Sequence, residues 1–268
     1  MKRFLSFLSA SLIILCSLLP LVACDKQKVS VGLEYSLNLD GNTYSVVGIG
    51  DCVDTDLIIP AEYKGKPVTA IGDRAFANYK SLKSVVIANS VVSIGMFAFV
   101  RCDYLESVTF GKSLKKIEQR AFAFCGYLKN VTFPEGLERI GGNAFEECEI
   151  IGEIVIPDSV VYIGSYAFAK CTYLTKATLG NSLRSLNEGV FEYCRNMEEL
   201  SFGTSIKNIY RRSLKQCYLR DIYFDGTIAE LYSINFAEGW EQSNTLGYCT
   251  IHCTDGDVSA SELYKAIR

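Results

Sequence analysis

The sequence predicts an α/β-type repeat: a solenoid of about seven 23-residue coils, each a short strand plus a short helical turn, closed by N- and C-terminal caps. Two observations carry that prediction. Cys102, Cys125, Cys148, Cys171, Cys194 and Cys217 stand 23 residues apart, and Tyr79 occupies the same slot one interval earlier. The same apolar word surrounds each of them. One such unit is too small to bury its apolar face, so the units must stack and share a core.

Residues 1–23 read as an export signal. Lys2 and Arg3 form a positive start, and Phe4 to Val22 is an apolar run broken by serines and Pro20. Leu21-Val22-Ala23-Cys24 resembles a lipobox, in which cleavage before the cysteine is followed by its acylation. A plain signal peptide or one membrane span are the other readings. On the lipobox reading Cys24 is the lipidation site and Asp25 to Lys28 a short tether. The two or three acyl chains suffice for stable anchoring. On this reading the chain is exported and held to a membrane by its lipid.

Residues 24–66 combine that tether with an N-terminal β cap. Tyr35 to Leu39 alternates, Asp40-Gly41-Asn42 is turn chemistry, and Tyr44 to Val47 alternates again, which predicts a hairpin. Such a cap covers the open edge of the first coil.

Residues 67–227 carry the repeats. The second unit reads Ile94-Gly95-x-x-Ala98-Phe99-x-x-Cys102-x-x-Leu105-x-x-Val108-x-Phe110, and the fifth Ile163-Gly164, Ala167-Phe168, Cys171, Leu174, Ala177 and Leu179. Leu-x-x-Val-x-Ile puts alternate residues on one face of a strand. Ala-Phe-x-x-Cys has the i, i+3 spacing of a helical turn. The sixth unit is worn at Leu186 and Val190, and the seventh has Ser213-Leu214 and a one-residue deletion before Leu219. Residues 228–268 lose the repeat and read as a C-terminal cap in which Trp240, the single tryptophan, packs.

The word Ile-Gly-x-x-Ala-Phe-x-x-Cys-x-x-Leu-x-x-Val-x-Ile-Pro resembles the BspA-like, or Treponema pallidum-type, leucine-rich repeat. The likeness covers about residues 66–227 and reaches Ile58 to Val68 and Thr250 to Gly256 in the flanks. Ala88 and Gly111 depart from it where Pro134 and Pro157 follow it. The resemblance implies a leucine-rich repeat solenoid and a bacterial surface protein, often an adhesin or binding scaffold.

The cysteines read as structure. The six periodic ones form a ladder of small buried hydrophobes, and parallel stacked side chains give poor disulfide geometry. Cys249 could pair with Cys253 or Cys52. A zinc site at Cys249-x-x-His252-Cys253 meets the obstacle that His252 points away from both cysteines on a strand. No metal and no cofactor is expected. An enzyme is not expected either: His252 is the one histidine, and no phosphate loop, nucleophile elbow or His-Glu-x-x-His is present. A formal net charge of -3 without a basic run argues against nucleic acid.

Binding is the favoured class, on two columns. One is the outward strand residue of each coil: Val86, Thr109, Thr132, Val155, Thr178, Ser201 and Tyr223. Thr and Val also favour strands for their own reasons. The other column precedes each Leu: Tyr104, Tyr127, Ile150 and Tyr173, bounded by Ser81 and Asn196. Tyrosine pairs a flat apolar ring with a hydroxyl and suits interfaces; ring-on-ring stacking that stiffens the solenoid is the alternative. The expected partner is a protein, from host matrix or from the bacterial envelope. A glycan is possible, and a structural envelope role is the runner-up.

Overall fold

A computed structural model describes residues 29–240 and 249–267. The export segment, Cys24 and the tether lie outside the described residues. The chain winds as a solenoid of about eight coils with few helices. A typical coil has three sides: a short strand at the Ile-Gly step, a run of turns, and a longer strand at the Val step.

The Ile-side strands stack in parallel. Ile71, Ile94, Ile117, Ile140 and Ile163 pair in one ladder, and Leu186, Ile209 and Phe236 continue its sequence positions in a second. The Val-side strands do the same: Leu57, Val85 and Val108 pair in register, then Ile154, Ala177, Leu200, Ile222 and Ile251. Both flanks therefore feed strands into the ladders, Tyr44–Gly48 and Asp56–Ile59 at one end and Thr250–Cys253 at the other. That gives the coil beyond the seven counted from sequence.

The core runs along the axis. Phe76, Phe99, Phe122, Phe145, Phe168 and Phe191 are all fully buried and stack with centroids 5.0 to 5.7 Å apart. This close to one coil spacing, each ring covers the next, which is how a thin coil removes its apolar surface from water.

The Ala-Phe-x-x-Cys segment differs from a helix. Its amides alternate between two jobs. Ala98, Val100 and Cys102 donate to carbonyls three residues back, at Gly95, Phe97 and Phe99. Phe97, Phe99 and Arg101 donate to Gln119, Ala121 and Ala123 of the following coil. An amide spent between coils cannot close an i→i−4 bond, so consecutive turns replace the helix. Two residues per coil take positive φ to allow this, such as Phe97 at 60° and Arg101 at 57°.

The caps close the ends. Glu34–Leu37 and Tyr44–Gly48 form the antiparallel hairpin expected there, with Asp40 Oδ1 accepting from the amides of Asn42 and Thr43. At the other end Thr250–Cys253 adds to the Val-side ladder and folds back on Gly256–Ser259. Helix Ala260–Ala266 follows, opened by a capping box between Ser259 and Glu262. Trp240 is buried there against Phe236.

Candidate functional site

The cysteine ladder is part of the core. Cys102, Cys125, Cys148, Cys171, Cys194 and Cys217 are buried, and each Sγ–H donates to the carbonyl of the Phe 26 residues earlier, from Phe76 to Phe191, at 3.1 to 3.2 Å. Burial pushes Cys102 and Cys171 up to about 12, and raises the other four as well. These thiols stay protonated, which suits a hydrogen-bond donor and not a nucleophile or metal ligand.

Cys52, Cys249 and Cys253 are also free thiols. His252 and Cys249 diverge as the strand alternation requires: Cys249 is buried, and both His252 nitrogens are taken by carboxylates. Nε2 lies 2.9 Å from Asp221 Oδ1 and Nδ1 3.0 Å from Asp257 Oδ1. The bond to Asp221 foremost, then Asp257, raises the His252 pKa.

The outward strand column is assembled as the register predicts. Val155, Thr178, Ser201, Tyr223 and His252 are successive partners, with the Tyr223 and His252 rings stacked at 4.9 Å. Val86 and Thr109 pair at the other end. Thr132 is exposed but outside a named strand, since only a Ser107–Asn130 bridge forms in its coil. Beside this column Lys176 lies between Glu153 and Glu199, at 3.9 and 3.4 Å.

The tyrosine column needs one correction. Tyr104, Tyr127 and Tyr173 are half-exposed, at 51%, 47% and 49%, and the Tyr104 and Tyr127 rings lie 5.5 Å apart. Ile150 is 1% exposed and does not belong to the surface. Its coil has Ile150-Ile151 where others have Tyr-Leu. Ile150 turns inward, Ile151 turns out, and Gly152 at φ 81° takes up the shift beside an irregularity in strand register. Two apolar neighbours compete for one inward slot, and the sequence does not say which wins. Tyr218 was missed for a related reason. It is exposed and directly precedes the buried Leu219, so it continues this column across the deletion that hides it from a 23-residue count.

A second feature was not legible in the sequence. The positive-φ residues form two columns on the turn side, Arg74, Phe97, Arg120 in one and Arg101, Phe124 in the other. Side chains at positions that reveal nothing in the repeat word thereby come into contact. Arg74 and Arg120 stand 5.3 and 5.9 Å from the Phe97 ring, and Arg101 5.4 Å from Phe124.

A stacked three-sided coil with ordered outward columns defines the class: a solenoid scaffold that presents surfaces. The profile of the BspA type leucine-rich repeat region, in six copies, matches residues 58–175 and 115–239. The chain belongs to that family. A leucine-rich repeat protein of Treponema pallidum, TpLRR, is 30% identical, with a TM-score of 0.59 over 64% of this chain and 83% of its own. A leucine-rich repeat protein from Bacteroides ovatus is 22% identical, with a TM-score of 0.62 over 78% of this chain and 66% of its own, and shows the fold alone. No curated protein matches the chain. Among the described residues no helix is long and apolar enough to cross a membrane.

Proposed function

We propose that this chain is a lipid-anchored bacterial cell-surface protein that binds a protein partner through the tyrosine ridge and the adjoining strand side of the solenoid. Residues 1–23 are then its signal, Cys24 its acylated residue, 67–227 its repeats and 228–268 its end cap. The observation that carries the reading is the half-exposure of Tyr104, Tyr127 and Tyr173 at one slot of the coil. Tyr104 and Tyr127 lie ring to ring at 5.5 Å, yet about half of each side chain stays open to a partner. Rigid amphipathic rings held at one slot of the coil bind at small entropic cost.

The test compares wild type with a Tyr104→Ser, Tyr127→Ser, Tyr173→Ser variant in pull-downs from host matrix and from the producer's envelope. A protein partner held by wild type and lost by the folded variant supports the reading. Partners retained equally by both would remove the ridge from it. Acylation is tested by metabolic labelling with a palmitate analogue, which Cys24→Ala should abolish.

A further inference from the structure

We infer that the turn side of the first three repeats is a docking surface for an acidic polysaccharide carrying sulfate or carboxylate groups. This surface is distinct from the tyrosine ridge, and the inference stands without it.

Three guanidinium groups lie on that side, one from each of the first three repeats. Arg74 and Arg120 flank the ring of Phe97, so their guanidinium carbons lie within about 11 Å of each other. Arg101 stands over Phe124 in the neighbouring column. Among the described residues none of the three forms an ion pair or a side-chain hydrogen bond. The Nε of Arg120 is buried without an acceptor, so the ring and not an internal carboxylate holds that side chain. The nearby acids are engaged or offset: Asp73 Oδ1 accepts from the Met96 amide at 2.7 Å, Asp103 pairs with Lys80 at 3.3 Å, and Glu118 precedes the column by two residues.

The same side further along is different. Lys170 is held by Glu147 at 2.6 Å and Glu146 at 3.4 Å, Arg211 by Glu188 at 2.9 Å and Lys215 by Glu192 at 3.0 Å. Asn143 and Glu147 take the column positions in the fourth repeat. Lys170, Arg211 and Lys215 are thus neutralised in place, with Arg195 resting on a ring there, over Tyr193, whereas Arg74, Arg101 and Arg120 are left without a carboxylate in the first three repeats. A guanidinium is weakly hydrated and offers a planar fork that fits an oxyanion in two bonds. Parking it on a phenyl ring orders it without spending those donors.

The ligand's backbone chemistry follows from the turns. The amides of Arg74, Phe76 and Asn78 serve the second coil and those of Phe97, Phe99 and Arg101 the third, so no peptide can add as a strand between these coils. Recognition must come from side chains repeated once per coil. A polymer with anionic groups at regular intervals matches that periodicity.

The full chain in detergent would be passed over immobilised chondroitin sulfate, hyaluronan and polyglutamate, with dextran as the uncharged baseline. Retention on one or both acidic polysaccharides, released by raised salt, is expected; the pair separates sulfate from carboxylate recognition. Arg74→Gln with Arg101→Gln should weaken retention at least tenfold, while Lys170→Gln with Lys215→Gln should leave it unchanged. Both arginines are exposed, and circular dichroism checks the fold. If that variant fails to fold, Arg→Lys at the same two positions keeps the charge and loses the fork, and a severalfold loss is expected. The inference is overturned by no retention on either polysaccharide, by equal loss in both cation pairs, by undiminished binding in the Arg→Lys variant, or by polyglutamate bound as strongly through the same arginines.

Discussion

At the scale of single residues, the chemistry follows from what burial does to each group. The ladder thiols are protonated donors because ionising them in a dry core costs too much. Modification by a maleimide at pH 8 should therefore reach Cys253 first, the one described cysteine that is not buried. Cys102 to Cys217 should react only as fast as the chain opens; stoichiometric labelling of native protein would contradict the ladder. His252 supplies a pH test. Its folded pKa is raised above the usual 6.5, so the folded state holds the proton more tightly than the unfolded chain. The resulting stability is full below about pH 6.5 and is lost as pH rises through the raised value. Melting temperatures followed upward across that window should fall, and the dependence should flatten in His252→Gln. Asp221→Asn should lower the His252 pKa, read by NMR. The sequence announced His252 as unique and placed it on the correct side of its strand. It could not announce Asp221 and Asp257, which reach it from a neighbouring coil and from the return strand.

At the scale of the element, coil spacing sets what each turn tolerates. A Cβ on Gly164 would run into the Gly142 backbone of the preceding coil, whereas one on Gly126 meets nothing within 4 Å. Gly164→Ala should destabilise by roughly 2 kcal/mol or more, as overpacking against rigid backbone does. Gly126→Ala should change stability by no more than about 1 kcal/mol, in the stabilising direction. Urea midpoints at constant slope decide between them, and equal shifts would mean the coils are not stacked this tightly. The strand halves of each coil were legible because Leu-x-x-Val-x-Ile has period two. The turn halves show i, i+3 spacing in Ala-Phe-x-x-Cys, and the structure realises it as consecutive i→i−3 turns. Spacing reports which side chains face inward; it does not report where the amides donate. The non-glycine residues at positive φ in the repeats, such as Phe97 and Arg101, carry no sequence mark, since inter-coil hydrogen bonds and not residue type hold them there. The exchange of Ile150 and Ile151 is the same limit in miniature.

At the scale of the whole molecule, stability is a chain of nearest-neighbour interfaces with two ends to protect. The Asp221–Phe224 strand has its outer edge covered by Thr250–Cys253, and that strand in turn by Gly256–Ser259. Ending the chain after Gly226 should bare the edge and give self-association, visible as mass above monomer in light scattering while the intact chain serves as reference. A monomeric truncated form would show that the cap is dispensable. The sequence by itself determined the repeat, its period, its inward residues and its family, because a stacked coil must place the same apolar type at the same step to build a continuous core. Tertiary structure alone decided the extra ladder strands in the flanks, the burial of Ile150, the place of Tyr218, the carboxylates around His252 and the arginine–phenylalanine columns. Each of these depends on contacts between residues about one coil apart in space, and outward positions are free of the packing constraint that writes the repeat into the sequence.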